Sequence, residues 1–166
     1  PTSIENAYRF LKNSFYRQIL HNSEKFRMKS TIKNILRKDN PFNINTPKQL
    51  IAYMNQLGGN AAVFIEEQQQ LFMPSIILNQ VRSEKEKKIG VAMEKACLKY
   101  FNLNVKISGY LDFDETVRQS VIDREPLAKN SLESVPVQQL SIICEKLLQE
   151  EKERTKKNNL LSQLAL

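Results

Sequence analysis

The order of apolar runs predicts an α/β chain of the doubly wound, parallel-sheet type, rich in helix and with few strands. Three observations carry that expectation. Ser75-Ile76-Ile77-Leu78 is an unbroken apolar run between Pro74 and the polar stretch Asn79–Ser83, the pattern of a strand buried on both faces of a parallel sheet. Val105–Asp114, VKISGYLDFD, repeats the pattern, with a strand expected over 104–110. Each run is followed at once by a segment of helical period, and strand, helix, strand, helix in that order is the α/β signature. Two strands are too few for a free-standing sheet, so the chain reads as a single, partial domain.

The elements follow in order. Thr2-Ser3-Ile4-Glu5 opens a helix as a capping box, and Ile4, Tyr8, Leu11, Phe15 and Ile19 recur on one face. This helix, 1–21, is expected to pack on the sheet. Residues 22–73 read as a helical insertion. Phe26, Met28, Ile32, Ile35 and Leu36 mark a short amphipathic helix there, broken at Lys38–Pro41. Thr46-Pro47 pairs a cap with Pro at the first helical position and starts a helix that Gly58-Gly59 ends. Asn60 is expected to cap the next, which runs to about Phe72. Residues 74–148 form the strand-helix-strand-helix core with a final helix. In it, Glu84–Phe101 is read as one long helix with Ile89, Met93, Ala96, Cys97 and Tyr100 inward. Asp114 caps a helix bearing Val117, Val121 and Ile122, and Pro136 begins the last, with Leu140, Ile143, Cys144, Leu147 and Leu148 as its stripe. Residues 149–166 are a charged helical tail.

Composition narrows the class. The 166 residues are 41% apolar and 26% charged, as in an ordinary globular protein with a core. No run approaches the length of a membrane span, and PTSIENAYRF lacks the basic start and apolar centre of a signal peptide. With no initiator Met, the chain is expected to have sequence upstream. Cys97 and Cys144 are far apart on apolar faces and read as buried, reduced thiols, which points to the cytoplasm. A single histidine, His21, offers no zinc site. Residues 1–38 hold nine Lys/Arg against Glu5 and Glu24, an excess equal to the whole net charge of +7. Such a block faces nucleic acid, anionic lipid or an acidic partner protein, or is simply the solvated side of helices.

In parallel sheets, functional groups collect where strands end and helices begin. Asn79, Arg82, Leu111, Asp112 and Phe113 fall there. Asn79 offers a donor and an acceptor on one amide, the pair a base edge needs; it equally satisfies strand-end backbone groups. Arg82 either stacks on a base or is an exposed helix-start arginine. Asp114 is explained by N-capping. Asp112 and Asp114 invite a metal or acid/base reading, without a third ligand in view.

Three segments together resemble a known family. PTSIENAYRFLK, SIILNQVRS and GYLDFDETVRQSVIDREPL are similar, in order and spacing, to the later part of MinD/ParA-type ATPases, the deviant Walker A group of P-loop NTPases, in its MinD/FlhG-like branch. With the final helix they cover most of residues 1–20 and 74–148. The resemblance implies the C-terminal part of a doubly wound P-loop NTPase fold, with Asn79, Arg82, Leu111, Asp112 and Phe113 forming the adenine side of the pocket. It implies ATP or ADP with Mg as cofactor in the intact protein, a homodimer, and a role in positioning flagella, the division site or chromosomes (partition). It further implies a bacterial cytoplasmic location, peripheral at the inner membrane if the tail 149–166 docks there. In that tail Lys152, Arg154, Lys156 and Lys157 precede Leu160, Leu161, Leu164 and Leu166, a basic stretch beside an apolar face.

Departures from the family are equally specific. The phosphate loop is missing, the switch aspartates precede residue 1 in the family order, and Asp112 stands where the family has Pro. This chain alone is therefore expected not to hydrolyse ATP. The alternative is a non-enzymatic interaction module whose basic helices of 1–38 bind DNA, other nucleic acid or an acidic protein.

Overall fold

A computed structural model describes residues 2–24, 26–37, 39–130 and 132–164, with the side chains of all of these except Asn130, Arg154 and 156–164. The elements are α1 (Thr2–Asn22), α2 (Lys29–Leu36), α3 (Pro47–Leu57), α4 (Gly59–Leu71), β1 (Ser75–Val81), α5 (Glu84–Ala96), a π-helical turn (Cys97–Phe101), β2 (Lys106–Asp112), α6 (Glu115–Asp123), α7 (Leu127–Asn130) and α8 (Val135–Leu164). The fold is mixed α/β, rich in helix, with a two-stranded sheet among the described residues. The Lys106 N–H donates to the Pro74 carbonyl at one end of the pair and Phe113 N–H to the Val81 carbonyl at the other. The same sequence offset at both ends marks a parallel pair in constant register.

The chain divides into two compact units. The first holds residues 1–75 and 91–106, the second 76–90 and 107–166. The first unit contains the large core. Phe15 and Ile19 of α1, Ile32 and Ile35 of α2, Leu50, Ile51 and Met54 of α3, and Phe64 and Ile65 of α4 are buried together. The apolar stripe of α1, expected to pack on the sheet, is thus buried in this helical unit, with Phe15 edge-on to Phe72 at 5.1 Å. Periodicity gave the face of the helix correctly but carries no information on what covers it.

Local signals account for the helix ends. Thr46 Oγ1 accepts from the Gln49 N–H while Gln49 Oε1 accepts from the Thr46 N–H, a complete capping box ahead of Pro47. Gly58 sits at φ +67°, a conformation open to glycine at no steric cost. It serves as both the end of α3 and the cap of α4, so Asn60 lies inside α4 and is not its cap. One polar cluster is buried with this core. Gln68 of α4 is 1% exposed and its Oε1 accepts from Asn22 Nδ2 at 2.7 Å and Gln18 Nε2 at 3.2 Å. Satisfied in this way, it ties α1 to α4.

In the second unit the helices approach the sheet through two glycines. A Cβ on Gly90 of α5 would meet Ile107 and the Tyr110 hydroxyl at 3.1 Å. A Cβ on Gly109 of β2 would overlap Ile143 of α8. Gly109→Ala is expected to lower stability by about 1–3 kcal/mol through overpacking, read as a fall in the urea midpoint. An unchanged midpoint would mean that Ile143 swings aside freely.

Ser75, Ile77 and Asn79 of β1 are exposed, so the strand is not buried on both faces; a two-stranded sheet leaves its strands half covered. The second strand lies two residues later than expected. Of the inward set on 84–101, Met93 and Cys97 are buried but Ile89 and Tyr100 are exposed, the last in the π-helical turn Cys97–Phe101. On α8 only Ile143 of the expected stripe is buried, and Cys144 is exposed. Burial pushes the Cys97 thiol up to about 11. In the tail, the side chains of Arg154, Lys156, Lys157, Leu160, Leu161 and Leu164, and all of Leu166, lie outside the described residues.

Candidate functional site

The carboxyl ends of β1 and β2 are neighbours, and the chain leaves both for helices there. After β1, Ser83 accepts at the start of α5, with its carbonyl 3.0 Å from the Glu86 N–H. Glu86 Oε2 reaches back to the Arg82 N–H at 2.6 Å, which fixes the strand-to-helix turn. After β2, Asp114 Oδ1 accepts from the Thr116 N–H at 2.8 Å and from its hydroxyl at 2.6 Å. These bonds hold the Asp114 carboxyl below the usual carboxylate range. Its role is therefore the cap of α6, as expected.

Between the two turns, the Arg82 guanidinium lies over the Phe113 ring, 4.0 Å from its centroid. This is a cation–π contact worth about 0.5–1 kcal/mol at an exposed site. Two depressions open around the pair. One, of about 590 Å³, is lined by Val81, Arg82, Ser83, Lys87, Asp112 and Phe113 among others. The second, of about 360 Å³, is lined by Asn79, Gln80, Phe113, Val117 and Ile122 with neighbouring polar groups. Lys87 is held above its ordinary value by its hydrogen bond to Glu84, with a further contribution from Asp112.

Asn79, Arg82, Asp112 and Phe113 are thus brought together, whereas Leu111 lies half-buried in β2 and lines neither depression. Asn79 Oδ1 accepts from the N–H of Gln80 at 2.9 Å, which leaves the amide Nδ2 to donate. Gln80 itself stands at φ +59°, a left-handed conformation that is uncommon outside glycine. Backbone strain of this kind gathers at binding and catalytic sites.

Two backbone donors of the turn at 111–114 are already used. Gln139 of α8 clamps Asp112, its Oε1 accepting from the Asp112 N–H at 2.8 Å and its Nε2 donating to Asp112 Oδ2 at 2.9 Å. The next N–H, of Phe113, is spent on the strand ladder. Gln139 thereby ties Asp112 of β2 to α8 and occupies its Oδ2. No group of three or more His, Cys, Asp or Glu able to hold a metal occurs among the described residues.

Gln80 and Gln139 are the site residues that sequence reasoning missed. No local signal marks either, since one depends on a backbone angle and the other on a contact 27 residues away. Gly58-Gly59 joins two helices and follows no strand, unlike a phosphate loop. No described helix is long and apolar enough to cross a membrane. No protein-family profile, curated protein or solved structure matches the chain.

Proposed function

We propose that this chain is the C-terminal portion of a MinD/ParA-like ATPase, of doubly wound P-loop type, that positions cellular structures such as flagella, the division site or chromosomes. It contributes the adenine side of the nucleotide pocket. The observation that carries the reading is the grouping of Asn79 with the stacked Arg82–Phe113 pair at the shared carboxyl end of two parallel strands. That is where open α/β sheets bind nucleotides. Asn79 donates through Nδ2 to an acceptor on the base edge. Phe113, with Val117 and Ile122 beside it, supplies the apolar surface against which a purine lies. Arg82 holds the Phe113 ring in place.

Phosphoryl transfer rests on backbone amides, a lysine and magnesium around the phosphates, supplied in the family order by segments before residue 1. ATP with Mg would bring that chemistry in an intact, dimeric, cytoplasmic enzyme. Residues 1–166 contribute base recognition and a partner surface. The test is titration of a fluorescent ADP analogue against the protein and its Asn79→Ala variant. Losing the amide donor is expected to weaken binding by roughly 5- to 100-fold. Equal affinity in the two proteins would remove Asn79 from the pocket.

The alternative, a non-enzymatic module acting through the basic helices of 1–38, is favoured by one observation. Arg9, Arg17 and Arg27 are exposed and, among the described residues, make no ion pair. Salt separates the two readings, because phosphate-backbone binding weakens steeply with it and adenine recognition does not.

A further inference from the structure

A second surface, entirely within the helical unit, carries an inference independent of the nucleotide site. Helix α1 turns its apolar stripe Leu11, Phe15 and Ile19 into the core. Its opposite face exposes Arg9, Asn13, Arg17 and His21 at four-residue spacing, so they line up along the helix. Phe10 stands on this outer face too, 72% exposed, where it contributes little to the core.

The stripe continues beyond the helix. The chain leaves α1 at Asn22 and reaches Glu24 two residues later, and Glu24 lines a depression of about 420 Å³ with Arg27, Lys29, Ser30 and Lys33. The one carboxylate here is taken by Lys29, which leaves Arg27 and Lys33 as net positive charge. Lys25, of the same basic block, lies outside the described residues.

Three kinds of polyanion could meet such a surface, and the side chains discriminate among them. A protein interface needs an apolar centre inside a polar rim, and Phe10 alone does not make one. An anionic lipid surface is met by an amphipathic helix with its apolar face in the interface, and α1 has spent that face on the core. Single-stranded nucleic acid asks for a track of cations for the phosphates and an aromatic ring on which a base stacks. That is the composition found. We propose that the outer face of α1 and the α2 depression bind single-stranded nucleic acid, Phe10 stacking on a base and Arg9, Arg17, Arg27 and Lys33 tracking the phosphates.

The test is fluorescence anisotropy of a short labelled oligothymidylate with the full chain, across a salt series. A duplex of equal length and phosphatidylglycerol vesicles are run alongside. The single strand is expected to bind best and to weaken linearly in log–log form as salt rises. Arg9→Ala with Arg17→Ala should flatten that slope by about 1.4, the share of two phosphate contacts on a single strand. Phe10→Ala should cost between about 5- and 150-fold in affinity, leave the slope unchanged and leave the circular dichroism spectrum intact. Duplex binding as tight as single-strand binding, an unaltered affinity in Phe10→Ala, or binding to vesicles without binding to the oligonucleotide would each overturn the proposal.

Discussion

Phe64→Ala is expected to destabilise the helical unit by about 3–5 kcal/mol, the range for deleting a fully buried aromatic ring. Phe64 is 0% exposed and its ring centroid lies 4.9 Å from that of Phe26. Its neighbours on α4, Ala61, Ile65 and Gln68, are buried on the same face. The cavity would therefore open between α4 and the segment that leads into α2, where Ile32 and Ile35 are also fully buried. Domains of this size have only about 5–15 kcal/mol of net stability, so the loss is a large part of the whole. Urea unfolding followed by circular dichroism reads it directly. A change under about 1 kcal/mol would mean that surrounding side chains collapse into the space, contrary to the close packing expected of such a core.

Stability is expected to be uneven along the chain, with the second unit the weaker. The first unit buries a continuous set of aromatic and aliphatic side chains. In the second, Val81, Pro136 and Ile143 are the buried apolar side chains among those described, while Phe113, Val117, Val121 and Ile122 are exposed. Helix α6 has no buried residue. Opening free energies range from near zero to the global value according to such local burial. Amides of α1, α3 and α4 should therefore exchange more slowly than those of α6 by on the order of 100-fold or more, measured by native-state hydrogen exchange. Equal protection across the two sets would contradict this division of the core.

Much of the local structure was legible in the residues. The strand beginning at Ser75, the Thr46 cap ahead of Pro47 and the Asp114 cap all follow from short-range rules acting within four residues. What failed was longer in range. Ile77 belongs to an apolar run that reads as doubly buried, yet burial of a strand depends on how many neighbours cover it. Leu140 and Leu148 share a helix face with Ile143, but of the three only Ile143 is buried, against the one position of β2 without a side chain. At the site, Asn79 and Arg82 were found from their position at a strand end. The clamp of Gln139 on Asp112 was not, because a glutamine on a polar helix carries no mark of a partner far away in sequence.

The most direct measurement on the nucleotide reading is amide chemical-shift mapping by NMR during titration with ADP, with GDP as a comparison. The expected result is perturbation centred on 79–83 and 113–117, saturable with ADP and weaker with GDP. Shifts confined to other residues, or none at concentrations where the phosphate-bearing ligand is in large excess, would contradict an adenine pocket at this end of the strands.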